Sequence, residues 1–288
     1  MTANLETLVI AGYVFADGLR FSRRLGRPPE VTDGELIALA VCQSIAGITS
    51  DRQFLRGVGK LLPGWFPRLP DQSQYNRRRR MLTSQMVSVQ QRISELLAVG
   101  GLLVADGTLI GVANYDGCQQ RSEFAGTAAY GYCAAKSQYV WGVRLVLLTD
   151  RHGLPLGYTL VPANEKEYEP VRDLTTSQPG CALVADKGYW GRSYAETLAL
   201  QGVTIRTPDR VRTADNFERE KHLAGLRLVI ESTISNLICQ MRLEQHLANT
   251  AAGLAQRIAQ RLLALTIGML LNALTGLPPR ALTAYDGR

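Results

Sequence analysis

Leu102-Leu103-Val104-Ala105-Asp106 is the stretch on which the fold of this chain turns, and Ala182-Leu183-Val184-Ala185-Asp186 repeats its pattern 186 − 106 = 80 residues later. Each is a short apolar run with the length and composition of a buried strand, and each ends on an aspartate. A strand ending in Asp sets a carboxylate at a sheet edge, where a divalent cation collects oxygens. Taken singly, either aspartate reads as a turn or capping residue. A third acid strengthens the case: Glu231, 231 − 186 = 45 residues beyond Asp186, closes the run Arg227-Leu228-Val229-Ile230-Glu231 on a predicted helix.

The segments around these runs supply the rest of a mixed sheet. Gly100-Gly101 marks the change to strand-like sequence, and Leu102 to Val112 reads as the first strand. Tyr139 to Thr149 and Leu154 to Val161 are two further strands, joined by the hairpin turn Asp150-Arg151-His152-Gly153. Glu165 to Ser177 is a polar helix or loop, Cys181 to Asp186 a fourth strand, and Val203 to Arg206 a short fifth. Ser193 is expected to cap the helix between these last two. From about Arg219 the chain reads as helical, with breaks at Gly253 and Gly276.

The first hundred residues read as helices. Thr32-Asp33-Gly34-Glu35 is a capping box, Ser50-Asp51-Arg52-Gln53 repeats the signal, and Asp71-Gln72-Ser73-Gln74 starts a longer helix running through Met81 to Leu97. Short, close helices suggest a bundle of the helix-turn-helix kind. The expected division is therefore a helical region over 1–99 and a sheet domain with C-terminal helices over 100–288. Three early strands, a strand–helix alternation and then helices give the element order of an RNase H-like α/β domain, a mixed five-stranded sheet flanked by helices.

Composition narrows the chemistry. The 288 residues carry a net charge of +7, from 32 basic and 25 acidic residues. That balance favours a polyanionic partner. Arg77-Arg78-Arg79-Arg80 is one basic block, and Arg206, Arg210, Arg212, Arg219 and Lys221 form a looser one. The five cysteines form no C-x-x-C pair, which suits a reduced, cytoplasmic protein without structural zinc. No basic leader precedes the N-terminal apolar stretch. Leu262 to Leu274 is apolar but too short to span a bilayer, so a buried helix and a soluble protein are expected. The histidines at 152, 222 and 246 are too scattered for a zinc or general-base role.

In the expected fold Asp106 and Asp186 lie on neighbouring strands, and Glu231 lies on a helix able to cross that edge. Carboxylates this close repel unless a metal holds them ionised. Glu231 sits among Leu226, Val229, Ile230, Ile234, Leu237 and Ile238, which argues for a partner or a metal; the bland alternative is a surface pair with Arg227 at i−4.

These residues also carry a family resemblance. Ala105-Asp106-Gly107, Gly131-Tyr132-Cys133-Ala134-Ala135-Lys136 followed by Tyr139 and Gly142, Asp186-Lys187-Gly188-Tyr189, and Arg227 four residues before Glu231 resemble DDE-type transposases of bacterial insertion sequences. Leu69 to Arg78 resembles the helical N-terminal portion of the same group, so the likeness spans roughly residues 65 to 250. It implies that Asp106, Asp186 and Glu231 are the catalytic triad binding two Mg²⁺ ions, with Mn²⁺ able to substitute. It also implies cleavage of double-stranded DNA at terminal inverted repeats, joining to target DNA, and a homodimer that pairs two element ends. Two departures stand out: Ile238 occupies the place of a frequent lysine or arginine, with Arg242 one turn on. In the loop after Pro162, where relatives often carry His-Asp, the sequence reads Asn164-Glu165-Lys166-Glu167.

Arg77, Arg78, Lys136, Arg144, Lys187 and Arg227 are the candidate DNA contacts. Arg77 to Arg80 step about 100° apart around a helix, so one or two of them can face DNA at once. Trp190 reads first as a core residue and second as a base-stacking one. Two other readings compete: a nuclease or resolvase of the same fold that cleaves without joining, and a DNA-binding regulator without catalysis. A carboxylate-pair glycosidase fits poorly, because aromatic residues are 7% and the charge is basic.

Overall fold

The computed structural model describes residues 4–18, 29–115, 117–186, 189, 191–209, 213 and 215–287. The N-terminal helices are α1 (Leu5–Asp17), α2 (Asp33–Ile45), α3 (Asp51–Leu61), α4 (Gln72–Met81) and α5 (Thr83–Leu97). Side-chain caps set four of their starts, the first being Asn4 Oδ1, which accepts from Thr7 N at 2.9 Å ahead of α1. Thr32 Oγ1 accepts from Glu35 N at 3.2 Å while Thr32 N donates to Glu35 Oε2 at 2.6 Å, completing the capping box. Ser50 and Asp71 oxygens accept from Gln53 N and Gln74 N. The single helix expected from Asp71 to Leu97 is divided at Leu82. There Thr83 Oγ1 donates to Arg80 O at 2.8 Å, a local bond that competes with the helical ladder.

The chain forms two compact units, residues 1–93 with 235–288, and residues 94–234. The C-terminal helix α10 (Ala251–Thr275) belongs to the first of these units, where it packs on α1 and α2. It is buried along most of its length, Leu254 to Asn272, so it needs helical neighbours on several sides. By length and hydropathy α10 would pass for a bilayer span, longer than the segment expected from Leu262 to Leu274, but 83% of its apolar window is buried within the fold. It also carries Gln256, Arg257, Gln260, Arg261 and Asn272, all buried. In this helical unit Asp51 is the hub of a buried polar network. Its carboxylate accepts from Arg79 Nη2 at 2.9 Å and Gln43 Nε2 at 3.0 Å, and pairs with Arg257 Nη1 at 2.8 Å.

The second unit is built on β1 (Leu102–Gly111), α6 (Cys118–Arg121), β2 (Ala129–Cys133), β3 (Gln138–Asp150), β4 (Pro155–Pro162), α7 (Tyr168–Thr175), β5 (Ala182–Val184), α8 (Arg192–Leu200), β6 (Thr204–Arg206) and α9 (Phe217–Ser235). The strands form one mixed sheet in the order β2-β3-β1-β5-β6, with β4 also paired to β3. The first pairings are antiparallel and β5 and β6 join in parallel. The sheet has six strands rather than five: β2 pairs with Gln138 to Gly142 and β4 with Val143 to Thr149, so both share one edge of β3. With Gly131 at its centre and Ala134-Ala135-Lys136 behind it, β2 is too short to stand out by periodicity.

One face of the sheet is closed by α7 and α8 over Leu103, Ala105, Val146, Leu148 and Leu183. At the hairpin, Asp150 Oδ1 accepts from His152 N and Leu154 N, closing the turn expected there. Helix α8 starts at Arg192 behind Gly191, not under a Ser193 cap, and α10 starts under Thr250, with Gly253 inside its first turn.

Candidate active site

Asp106 lies within β1 rather than at its end, since pairing with β3 continues to Gly111. Parallel pairing of β1 and β5 runs from Leu102–Ala182 to Val104–Val184. Asp106 and Asp186 each lie two residues beyond that last pair (106 − 104 and 186 − 184), Asp106 still within β1 and Asp186 past the end of β5. Glu231 arrives from α9, which Thr233 pins to the sheet by donating to Gly153 O at 3.0 Å.

Arg227 joins two of the three acids. Its Nη1 is 3.1 Å from Asp186 Oδ1 and its Nη2 is 3.9 Å from Glu231 Oε1. Glu231 keeps 48% of its side chain exposed, and Leu228 beside it is exposed. Burial in an apolar helix is therefore not what demands its partner; the i−4 pair with Arg227 is present, and the guanidinium also reaches Asp186.

Asp106 has a different environment. Burial pushes its carboxyl up to about 6; the Gly107 N–H, donating at 2.9 Å, and Arg227 act against that, while Glu167 and Glu231 add to it. A carboxyl raised by burial and by neighbouring negative charge is one that a cation would return to its ionised form. The donor set is all carboxylate oxygen, the chemistry of Mg²⁺ and Mn²⁺ sites. Among the described residues, no group of three or more His, Cys, Asp or Glu side chains is close enough to hold a metal ion. Arg227 occupies the space between Asp186 and Glu231 as their counter-cation. The donors fit a divalent ion in kind, and drawing them together requires that guanidinium to leave.

Glu167 is the site residue that the sequence left unassigned. Its Oε1 accepts from Arg144 Nη1 at 2.5 Å and its Oε2 from Tyr189 Oη at 2.7 Å. The carboxylate lies over Gly107, where a Cβ would collide with it. Burial and this acid push the Tyr189 hydroxyl far up, so it stays a donor. The available signal was Gly107 itself, because a glycine inside a strand marks close approach by another group.

The candidate DNA contacts separate on this geometry. Arg77 is exposed, but Arg78 is 9% exposed and pairs with Asp33 at 2.7 Å, which removes it from any surface. Arg79, its neighbour, is held inside by Asp51. Arg144 is tied to Glu167 and Ala163 O, so it orders the site rather than standing ready for a phosphate. Lys136 is exposed at the turn between β2 and β3. Lys187 and Trp190 lie outside the described residues, as do Arg210 and Arg212. Of the histidines, His152 is exposed on its turn, and His246 is buried with Nδ1 accepting from Ala248 N.

No curated protein matches the chain in sequence. Among solved structures, the Mos1 transposase paired-end complex with left transposon end is 11% identical over 77% of this chain and 82% of its own, with a TM-score of 0.25. A pre-cleavage Mos1 transpososome is 11% identical over 79% and 85%, at 0.24. The Mos1 mariner paired-end complex with Mn is 14% identical over 77% and 82%, also at 0.24. Scores this low leave the fold assignment to other grounds. The family model described as a transposase DDE domain matches residues 98–267, more than half of the chain, and takes in Asp106, Asp186 and Glu231. The chain thus belongs to the DDE transposase family, enzymes that cleave DNA and transfer its strands.

Proposed function

We propose that this transposase cuts double-stranded DNA at the terminal inverted repeats of a bacterial insertion sequence and joins the freed ends to target DNA, with Asp106, Asp186 and Glu231 as the ligands of two Mg²⁺ ions. The observation that carries this reading is the meeting of the three acids around Arg227. Two are ion-paired with its guanidinium, and the third feels both that charge and Glu231.

In the first step water replaces the 3′ bridging oxygen at phosphorus and leaves a 3′-hydroxyl; in the second that hydroxyl attacks a target phosphorus, forms a new phosphodiester and displaces the target strand's own 3′ oxygen as a hydroxyl. Divalent ions bound by the carboxylates would make the attacking oxygen more nucleophilic and neutralise charge at the phosphate. The chain's own residues prepare this. Asp106 is held by the Gly107 N–H, and Glu167, fixed by Arg144 and Tyr189, sets the negative field around it. Arg227, once released from Asp186 and Glu231, is within reach of the phosphate that enters beside them, where a guanidinium pairs in bidentate fashion. The exposed Arg77 and Lys136 are proposed to hold the backbone on either side. Synapsis of two ends calls for a homodimer.

The test is Mg²⁺- or Mn²⁺-dependent cleavage and joining of DNA bearing the element ends, with wild type beside Asp186→Ala. Activity lost in a variant that still folds and binds DNA supports the triad. Equal activity in both sinks it, and cleavage without joined product would favour the plain nuclease.

A further inference from the structure

The register of the sheet carries a surface feature that the triad does not use. In an antiparallel pair, residues directly opposite share a face, and the faces alternate along each strand. Asp106 is opposite Leu147, so Asp106, Leu147, Leu145, Val143, Trp141 and Tyr139 share one face. On β2, Tyr130 is opposite Trp141 and Tyr132 opposite Tyr139, which adds both to it. The result is a two-by-two block of aromatic rings on the same face of the sheet as Asp106. Tyr130 and Trp141 centroids are 5.3 Å apart, as are those of Tyr132 and Tyr139.

Three of these rings are in water: Tyr130 is 45% exposed, Tyr132 54% and Tyr139 72%. On the reverse face Gly131 lies against the backbone of Ala163 and Gly142 against Ile110 O, so neither position has room for a side chain. Exposed Lys136 sits at the hairpin turn and exposed Arg121 ends the short helix whose Cys118 touches the Tyr130 hydroxyl. Phosphate in a regular duplex would meet those cations, but paired bases present no ring face to the tyrosines.

We propose that Tyr130, Tyr132, Tyr139 and Trp141 are a stacking platform for unpaired DNA bases, about 20–27 Å along the sheet from Asp106. The spacing follows from β3: Trp141 and Tyr139 are 147 − 141 = 6 and 147 − 139 = 8 residues from the partner of Asp106. At about 3.4 Å per residue that is about 20–27 Å. The platform rests on the DNA-processing reading, since it is the transposase's own substrate that supplies the bases. It gives the enzyme a place to hold a frayed end or an unpaired flank while the phosphate sits at the acids.

The test uses the full chain and a fluorescein-labelled dT oligonucleotide of about a dozen nucleotides, within the usual range of single-strand site sizes. Fluorescence anisotropy is measured for wild type, Tyr132→Ser/Tyr139→Ser and Tyr132→Phe/Tyr139→Phe. The serine pair is expected to lose at least about tenfold in affinity for dT, since each stacked base is worth that order of magnitude. The phenylalanine pair, which keeps the ring faces, should match wild type, and wild type alone is carried through binding and cleavage of a blunt element-end duplex. Serine variants that hold dT as tightly as wild type overturn the platform, and so does a wild type that does not bind dT. Unchanged dT binding with lost self-association in sedimentation would make the block a contact between copies instead. The blunt-duplex arm reports on the transposase reading separately.

Discussion

Replacing Arg227 by glutamine removes the cation between Asp186 and Glu231 and leaves a shorter, neutral amide that still donates hydrogen bonds. The cation stands 3.1 Å from one carboxylate and 3.9 Å from the other, and about half of each acid is exposed, 53% and 48%. Ion pairs this wet contribute about 0.2–1 kcal/mol each, so the two together oppose a competing cation by at most about 2 kcal/mol. At 1.4 kcal/mol per factor of ten, Arg227→Gln should bind Mn²⁺ about 2–30-fold more tightly than wild type in the absence of DNA. The assay is a Mn²⁺ titration at low salt read by electron paramagnetic resonance of the free ion, with thermal unfolding as the control for folding. DNA cleavage should move the other way, because the same substitution removes a cation suited to the phosphate. That opposition is the informative part: a variant merely damaged in folding would lose both. A well-folded Arg227→Gln with equal or weaker Mn²⁺ affinity refutes the view that the guanidinium holds the place of a metal.

Asp51→Ala should destabilise the helical unit by about 3–5 kcal/mol in denaturant unfolding, since it strands the buried Arg79 and Arg257 without a counter-charge; a loss under about 1 kcal/mol would show that water reaches them. The same acid predicts a pH dependence. Burial alone would raise its pKa, but the guanidiniums of Arg79 and Arg257 outweigh it and hold the group well below the usual carboxylate range. A depressed folded-state pKa gives stability that is present above the unfolded value of about 4 and is lost as pH falls through the folded value. The urea midpoint of wild type should therefore drop on acidification below about pH 4, and Asp51→Asn should show a flatter profile across that window. Gly107→Ala should cost about 1–3 kcal/mol by driving a methyl into the Glu167 carboxylate, and adding Glu167→Ala should recover most of it in thermal unfolding. If the single variant melts with wild type, Glu167 is not packed over Gly107.

Much of this molecule was legible before its coordinates. Thr32, Ser50 and Asp71 announce α2, α3 and α4 because an N-cap bonds within four residues of itself. β1, β3, β4, β5 and β6 fall within two residues of their apolar runs, and the Asp150 turn is closed by its own side chain. What escaped was short or conditional. β2 has five residues and a glycine at its centre, and gains its definition from pairing with β3. The break at Leu82 rests on a hydroxyl bond that periodicity does not register. Arg78 reads as a surface cation in the run Arg77 to Arg80 until Asp33, 78 − 33 = 45 residues earlier, turns out to hold it.

The candidate site divides along the same line. The sequence alone determined its acids, because apolar runs ending in Asp106 and Asp186 and a helix bearing Glu231 are local patterns whose chemistry depends on residue type. The tertiary structure alone decided how they are held. Arg227 stands between two of them, Glu167 closes over Gly107, Arg144 serves Glu167, and four aromatic rings line up on the face of Asp106. Each of these depends on strand register or on a contact across tens of residues, and a one-residue change of register would send every such side chain to the opposite face.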